Sequence, residues 1–266
     1  MRWAKYKLKD SSKSHYIIDS AWLGLHLQTS THRKYYRNFR EAVIMGRLID
    51  LAASDGHKFS AYQADPSSAP KGGLVVIQEI FGVNSHVREV CDGFAADGYL
   101  AIAPALFDRA ERDVELGYEE EDRQKGMKLR GQIDWDENTK DVIAAREAIS
   151  SAGKIGIVGY CFGGTVAWLG ACSGSFDAAV GYYGGFIHTF LDRNSTCPVQ
   201  LHFGAEDQGI PQENVEQIRA AKPDADIYVY DDAGHGFICD HRASYHEGAT
   251  KTSRSRTLSF FEEHLN

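Results

Sequence analysis

The stretch Lys154-Ile155-Gly156-Ile157-Val158-Gly159-Tyr160-Cys161-Phe162-Gly163-Gly164-Thr165-Val166-Ala167-Trp168-Leu169 decides how this chain is read. Its first five residues are a short apolar run, the pattern of a strand buried on both faces. From Gly164 to Ala171 the pattern is that of a helix. Between them lies Gly159-x-Cys161-x-Gly163, a nucleophile elbow with cysteine where serine usually stands. A strand that turns sharply into a helix holds one side chain on a strained turn, clear of the backbone. The glycines two residues to either side remove Cβ atoms that would clash there. The helix N-terminus lowers the cost of a thiolate. Glycine-rich turns of this kind also bind phosphate, and buried cysteines also serve as small apolar residues. The Lys-Ser/Thr ending of a phosphate loop is absent, however, and the glycine spacing does not fit a dinucleotide fingerprint.

Outward from the elbow, strands alternate with helices. Leu48–Ala53 and Lys58–Ala64 flank Ser54-Asp55-Gly56-His57, which signals a hairpin. Leu74–Gln78 and Leu100–Pro104 read as buried strands, separated by a helix over His86–Asp97 that Gly98 ends. Tyr118–Gly131 reads as a charged, solvated helix. Glu137–Ser151 is amphipathic, with Val142, Ala145 and Ile149 on one face. Beyond the elbow come strands at Ala178–Tyr182, Val199–Phe203 and Ile227–Tyr230, and helices at Asn214–Ala221 and Thr257–His264. The alternation predicts an α/β fold: a mostly parallel central sheet with helices on both faces and an antiparallel hairpin at its start.

Composition bounds the function. The 266 residues are 43% apolar and 25% charged, an ordinary globular balance, and the formal charge of −8 argues against a general nucleic-acid binder. Residues 1–46 differ, with nine Lys/Arg against three Asp/Glu. They read as a basic N-terminal extension, peripheral to or extraneous to a single domain over 47–266, with Met45 a plausible start. No stretch approaches the ~20 apolar residues that span a bilayer, and Ala21–Leu25 is too short for a signal peptide. Cys91, Cys161, Cys172, Cys197 and Cys239 are odd in number and scattered. That pattern predicts free thiols in a reducing, cytoplasmic setting.

A thiol nucleophile needs a base, and the base an orienting carboxylate. In an open sheet both belong on loops at the carboxyl ends of strands. Val199–Phe203 runs into Gly204-Ala205-Glu206-Asp207, and Ile227–Tyr230 runs into Asp231-Asp232-Ala233-Gly234-His235-Gly236-Phe237. The order nucleophile, acid, histidine is that of α/β-hydrolases. Cys161, Asp207 and His235 are therefore the candidate triad, with Glu206, Asp231 and Asp232 as competing acids. Gln78-Glu79-Ile80-Phe81-Gly82-Val83-Asn84 follows the first buried strand, where this fold places half of its oxyanion hole. The N–H groups of Ile80 and Phe162 are the candidate donors, each worth ~3 kcal/mol of barrier.

Together the Gln78–Asn84, Gly159–Gly164, Gly204–Asp207 and Ala233–Phe237 segments resemble the dienelactone hydrolase family, over a span from about Leu48 to the C-terminus. The resemblance implies an α/β-hydrolase with a Cys161–His235–Asp207 triad and neither metal nor organic cofactor. It also implies that Glu79 contacts the resting thiol and is released by substrate to help generate the thiolate. The dienelactone-specific members bind the substrate carboxylate with arginines, and Arg123 lies in the matching helix; the run Phe237–Tyr245 after His235 resembles a broader branch of the family, with Arg242 as a candidate contact and Tyr160 as a further one. The family's tyrosine and tryptophan after that first arginine appear here as Met127 and Arg130, so a broader carboxylesterase or lactonase reads better than strict dienelactone specificity. The expected ligand is a small ester or lactone, and the expected state a monomer or weak homo-oligomer. Phosphotriester hydrolysis by the same cysteine is one alternative, and a thiol redox or peroxide sensor another, although the elbow holds no Cys-x-x-Cys. A metal site from His235, His241 and His246 is not expected, for want of a supporting thiolate or carboxylate pattern.

Overall fold

The structure is a computed structural model and describes residues 46–266. Apart from Gly46, the segment read as a basic extension lies outside the described residues. An eight-stranded sheet forms the core, in the order β1-β2-β4-β3-β5-β6-β7-β8. β1 (Arg47–Ala52) and β2 (Lys58–Ala64) pair antiparallel around the Ser54–His57 turn, and β2 pairs antiparallel with β4 (Leu100–Pro104). β3 (Gly73–Ile77), β4, β5 (Ile155–Tyr160), β6 (Ala178–Tyr182), β7 (Val199–Gly204) and β8 (Asp226–Tyr230) run parallel. Every residue of β3, β4, β5, β6 and β7 is buried, as continuous apolar runs in a doubly covered sheet require.

Among the described residues six α-helices accompany these strands: α1 (Ser85–Ala96), α2 (Glu120–Arg130), α3 (Trp135–Ala148), α4 (Phe162–Cys172), α5 (Gln212–Ala221) and α6 (Glu247–Leu265). Successive residues of a strand face opposite sides, and β5 shows which helices cover which. A Cβ on Gly156 would meet Phe261 of α6, whereas the side chain of Ile157 reaches Gly170 of α4. Phe94 of α1 packs edge-on against Phe261, so α1 shares the α6 side. The face of α3 marked by Val142, Ala145 and Ile149 is fully buried.

The last helix begins ten residues earlier than the sequence suggests. Its first half, Glu247–Arg256, is rich in Gly, Thr, Ser, Lys and Arg and lacks an apolar stripe. Only Ala249 and Ser253 of that half are buried, and the His246 ring caps it by accepting the Ala249 N–H at 3.1 Å. Short 3-10 turns at Leu106–Arg109 and Ile187–Phe190 were also not anticipated, since single turns carry no readable period. Because β3 through β8 are parallel, the loops after β3, β5, β7 and β8 all open on one edge of the sheet.

Candidate active site

Cys161 stands between β5 and α4 with φ +57° and ψ −116°, a backbone geometry that L-residues seldom adopt. Two contacts hold it there. Its N–H donates to Tyr182 O on β6 at 3.0 Å, and its carbonyl accepts the Gly164 N–H at 3.0 Å. The flanking glycines are required by space. A Cβ on Gly159 would lie 1.8 Å from Gly163 O, and one on Gly163 would lie 2.5 Å from both Ile77 O and Gln78 O. The elbow is thus pressed directly against the end of β3. Phe162 opens α4, so its N–H has no intrahelical partner.

Asp207 lies just beyond β7, its side chain almost fully buried. One carboxylate oxygen accepts the Gly209 N–H at 2.8 Å, and the other is 2.7 Å from His235 Nδ1. Both oxygens are therefore fixed, and the ring with them. His235 follows β8 and packs against Tyr183, with ring centroids 4.9 Å apart. Burial alone would depress its pKa. Cys161 beside it and the Asp207 carboxylate outweigh burial and hold the imidazole well above its ordinary value. Cys161, Phe162, His235 and Ile80 line one cavity of about 530 Å³. Glu206, Asp231 and Asp232, the competing acids, make no hydrogen bond to His235.

Glu79 is buried beside this cavity. Its Oε1 accepts from Arg242 Nη1 at 3.2 Å, while its Oε2 has no hydrogen-bond partner among the described residues. Arg242 comes from the loop after His235 and lies over the Phe81 and Tyr118 rings. Burial works against its charge, but Glu79 more than restores it, so its pKa is raised. Gly236 makes room for this arm: φ is +78°, and a Cβ there would fall 2.2 Å from Arg242 Nη1.

The three expected substrate contacts fare differently. Arg242 and Arg123 both border the Cys161 cavity. Arg123 is an exposed side chain engaged by both oxygens of Glu120 at 2.7 Å. Tyr160 points away. As the residue before the nucleophile on a pleated strand it faces the opposite side, where it lines a second cavity of about 260 Å³ without Cys161. It makes no approach to the Cys161 cavity in this structure. Of the three histidines weighed as a metal group, His235 is committed to Asp207 and His246 to the cap of α6.

Two residues around the site escaped the sequence reading as participants. Tyr183, at φ +39°, is fully buried against His235, and its hydroxyl has no partner among the described residues. Only its place at the end of a buried strand could have marked it. Arg130 stacks 3.8 Å over the Trp135 ring and also faces Phe162 and Phe186. No carboxylate of the described residues lies within ion-pair distance of it, and burial lowers its pKa. Its substitution for an expected aromatic was the available signal. All five cysteines are free.

A strained residue between a buried parallel strand and a helix, with an acid and a histidine on two later strand ends, defines the α/β-hydrolase fold class. Residues 59–265 match the model of the dienelactone hydrolase family, and the chain belongs to that family. It is 34% identical over 222 residues to the carboxymethylenebutenolidase of Pseudomonas putida, covering 80% of this chain and 94% of that one. The carboxymethylenebutenolidase of Pseudomonas knackmussii gives the same identity and coverage. Among solved structures, a Klebsiella pneumoniae protein assigned to the dienelactone hydrolases superposes with a TM-score of 0.70 at 30% identity, covering 82% of this chain and all of that one. The dienelactone hydrolase of Anabaena variabilis has the same fold, with a TM-score of 0.63 at 14% identity over 85% of this chain and 100% of its own. Among the described residues, no helix is long and apolar enough to cross a membrane.

Proposed function

We propose that this protein hydrolyses carboxylic esters or lactones through a Cys161–His235–Asp207 triad and a thioacyl-enzyme intermediate. The observation that carries the reading is the 2.7 Å Asp207–His235 hydrogen bond, set beside the strained Cys161 in one cavity. Membership of the dienelactone hydrolase family and the carboxymethylenebutenolidase relatives support the same substrate class.

In this reading the Cys161 sulfur attacks the ester carbonyl carbon, and the oxygen takes up the negative charge. The N–H groups of Phe162 and Ile80 receive that charge. The carbon–oxygen bond to the leaving group then breaks, and the imidazolium of His235 gives the departing alkoxide its proton. What remains is a thioester. His235, now neutral, takes a proton from water as the water attacks the thioester, and collapse frees the acid and returns the thiol. Asp207 holds the ring in the tautomer that both halves need. A thiolate leaves a tetrahedral adduct readily, so activated esters and enol lactones suit it better than amides. Glu79 acts as the thiol-modulating carboxylate, and Arg242 and Arg123 as contacts for an acidic acyl group. No metal or organic cofactor takes part, and residues 1–46 are peripheral to a single domain over 47–266.

Cys161→Ala should abolish p-nitrophenyl acetate hydrolysis, while EDTA leaves the native rate intact. Retained activity in that variant would overturn the assignment of Cys161 as the nucleophile. A panel of esters, lactones and phosphotriesters run on one preparation separates the main reading from phosphotriester hydrolysis. The redox alternative requires a sulfenate or disulfide at Cys161 and no esterase activity.

A further inference from the structure

Outside the hydrolytic cavity, four metal-ligating side chains converge where α1 meets the loop after β8. His86 and Glu89 are three residues apart on α1 and so lie on one face of it. Asp240 and His241 are neighbours in the loop that leads from His235 to α6. One donor atom from each residue lies within 4.8 Å of all the others. His241 Nε2 is 2.9 Å from Glu89 Oε2 and 3.8 Å from Asp240 Oδ1. His86 Nδ1 is 3.6 Å from Asp240 Oδ1, too far for a hydrogen bond though the histidine is buried. We propose that these four side chains bind a divalent first-row transition ion, zinc by preference.

The donor set argues for that class of ion. Two carboxylates balance a dication, and two imidazoles supply nitrogen donors that zinc, cobalt and nickel accept and that magnesium and calcium do not favour. The dimensions agree. Tetrahedral bonds of about 2.0–2.2 Å set the donors on one ion about 3.3–3.6 Å apart. The donors, now within 4.8 Å of one another, therefore need to close by up to about 1.5 Å. Glu89, Asp240 and His241 are exposed and free to make that movement, and buried His86 supplies the fixed point. An ion between them also gives the Asp240–His86 pair the common partner that their separation denies them directly. The 260 Å³ cavity borders His86, Glu89 and Asp240, leaving space for water at a further coordination position.

The site would act as a staple. α1 follows directly on the Glu79–Asn84 loop, and His241 immediately precedes Arg242, the partner of Glu79. An ion here ties the segment carrying Glu79 and Ile80 to the segment carrying His235 and Arg242. None of its four ligands lines the Cys161 cavity, so the ion restrains the site without touching substrate.

The probe is Co²⁺ added to the full-length, metal-stripped protein, followed by equilibrium dialysis, visible absorption and displacement by Zn²⁺. One equivalent should bind, with the d–d absorption of a nitrogen–oxygen site and no thiolate charge-transfer band. His241→Gln and Glu89→Gln, both at exposed positions, should each weaken binding by at least the ~10–100-fold that loss of an outer-shell partner costs. Both should keep the native circular dichroism and the native chelator-treated esterase rate. The proposal is overturned if the wild type binds no stoichiometric ion. It is equally overturned if a thiolate band places the ion on cysteine, or if the double variant binds as the wild type does.

Discussion

Asp207→Asn tests the hydrolytic reading at the point where the geometry is tightest. The side chain is buried, one oxygen is tied to Gly209 N–H at 2.8 Å, and the other to His235 Nδ1 at 2.7 Å. Asparagine fits the same space. Its amide oxygen keeps the Gly209 bond only if its NH₂ faces Nδ1. The ring must then accept at Nδ1 and carry its proton on Nε2, the nitrogen that has to take the thiol's proton. Losing a hydrogen bond to a charged partner costs about 1.5–3 kcal/mol, which is a factor of roughly 10–150. The wrong tautomer adds to this, and in a serine triad the same exchange lowers kcat by about 10⁴. The expected fall in kcat/KM for p-nitrophenyl acetate therefore lies between about 10² and 10⁴. The pH dependence has a definite sign. Burial pulls the His235 pKa down, and Cys161 and Asp207 hold it up. Without the carboxylate the imidazolium deprotonates at lower pH, so the protonated ring is present over a narrower range and the loss is greatest on the alkaline side. An unchanged kcat/KM across that range would refute the assignment. The same loss from Glu206→Gln, Asp231→Asn or Asp232→Asn, with Asp207→Asn active, would transfer the role.

Three further outcomes are expected. Gly163→Ala places a Cβ 2.5 Å from two backbone carbonyl oxygens that cannot withdraw, so thermal unfolding should show a loss of about 1–3 kcal/mol together with lower esterase activity; an unaltered Tm would mean that the elbow does not press on β3. His202 is fully buried between Tyr230 and Gln200, and burial, aided by Arg256, lowers its pKa to about 3. Below pH ~6.5 the unfolded chain takes up a proton that the folded one refuses, so stability present above that pH should decline toward pH 3 by at most about 1.4 kcal/mol per unit. Urea midpoints of the wild type and His202→Gln, measured across that window, check this: the variant should show the shallower slope, and identical slopes would count against it. Removing residues 1–44 should leave kcat/KM unchanged, and a folded but inactive truncation would show that the extension contributes to the site.

The sheet was legible because its strands are buried on both faces. A continuous apolar run such as Leu74–Ile77 or Ala178–Tyr182 carries its own boundary, and the elbow glycines carry a steric one. Elements that earn their stability from tertiary contacts were not legible to the same degree. The first half of α6 has the composition of a loop and is helical because His246 caps it and Ala249 and Ser253 meet the core. The same division runs through the candidate site. Cys161, Asp207 and His235 stand at the ends of buried strands in a fixed chain order, so sequence alone brings them to one edge. Tyr160 was misread for the complementary reason: its number places it next to the nucleophile, but the pleat turns it into the other cavity. The Glu79–Arg242 pair spans two loops that no local pattern relates, 163 residues apart. Charge pairing of that kind is decided by the fold, and it also decides which arginine at the cavity is open to a substrate. Arg123 is held by Glu120 and Arg242 by Glu79, whereas Arg130 stacks on aromatic faces and has no ion-pair partner among the described residues. Counting arginines in the sequence therefore overstates the positive charge this cavity offers to an acyl group. Arg123 and Arg242 already hold carboxylates, Glu120 and Glu79, so their charge at the cavity is partly neutralised before any substrate arrives.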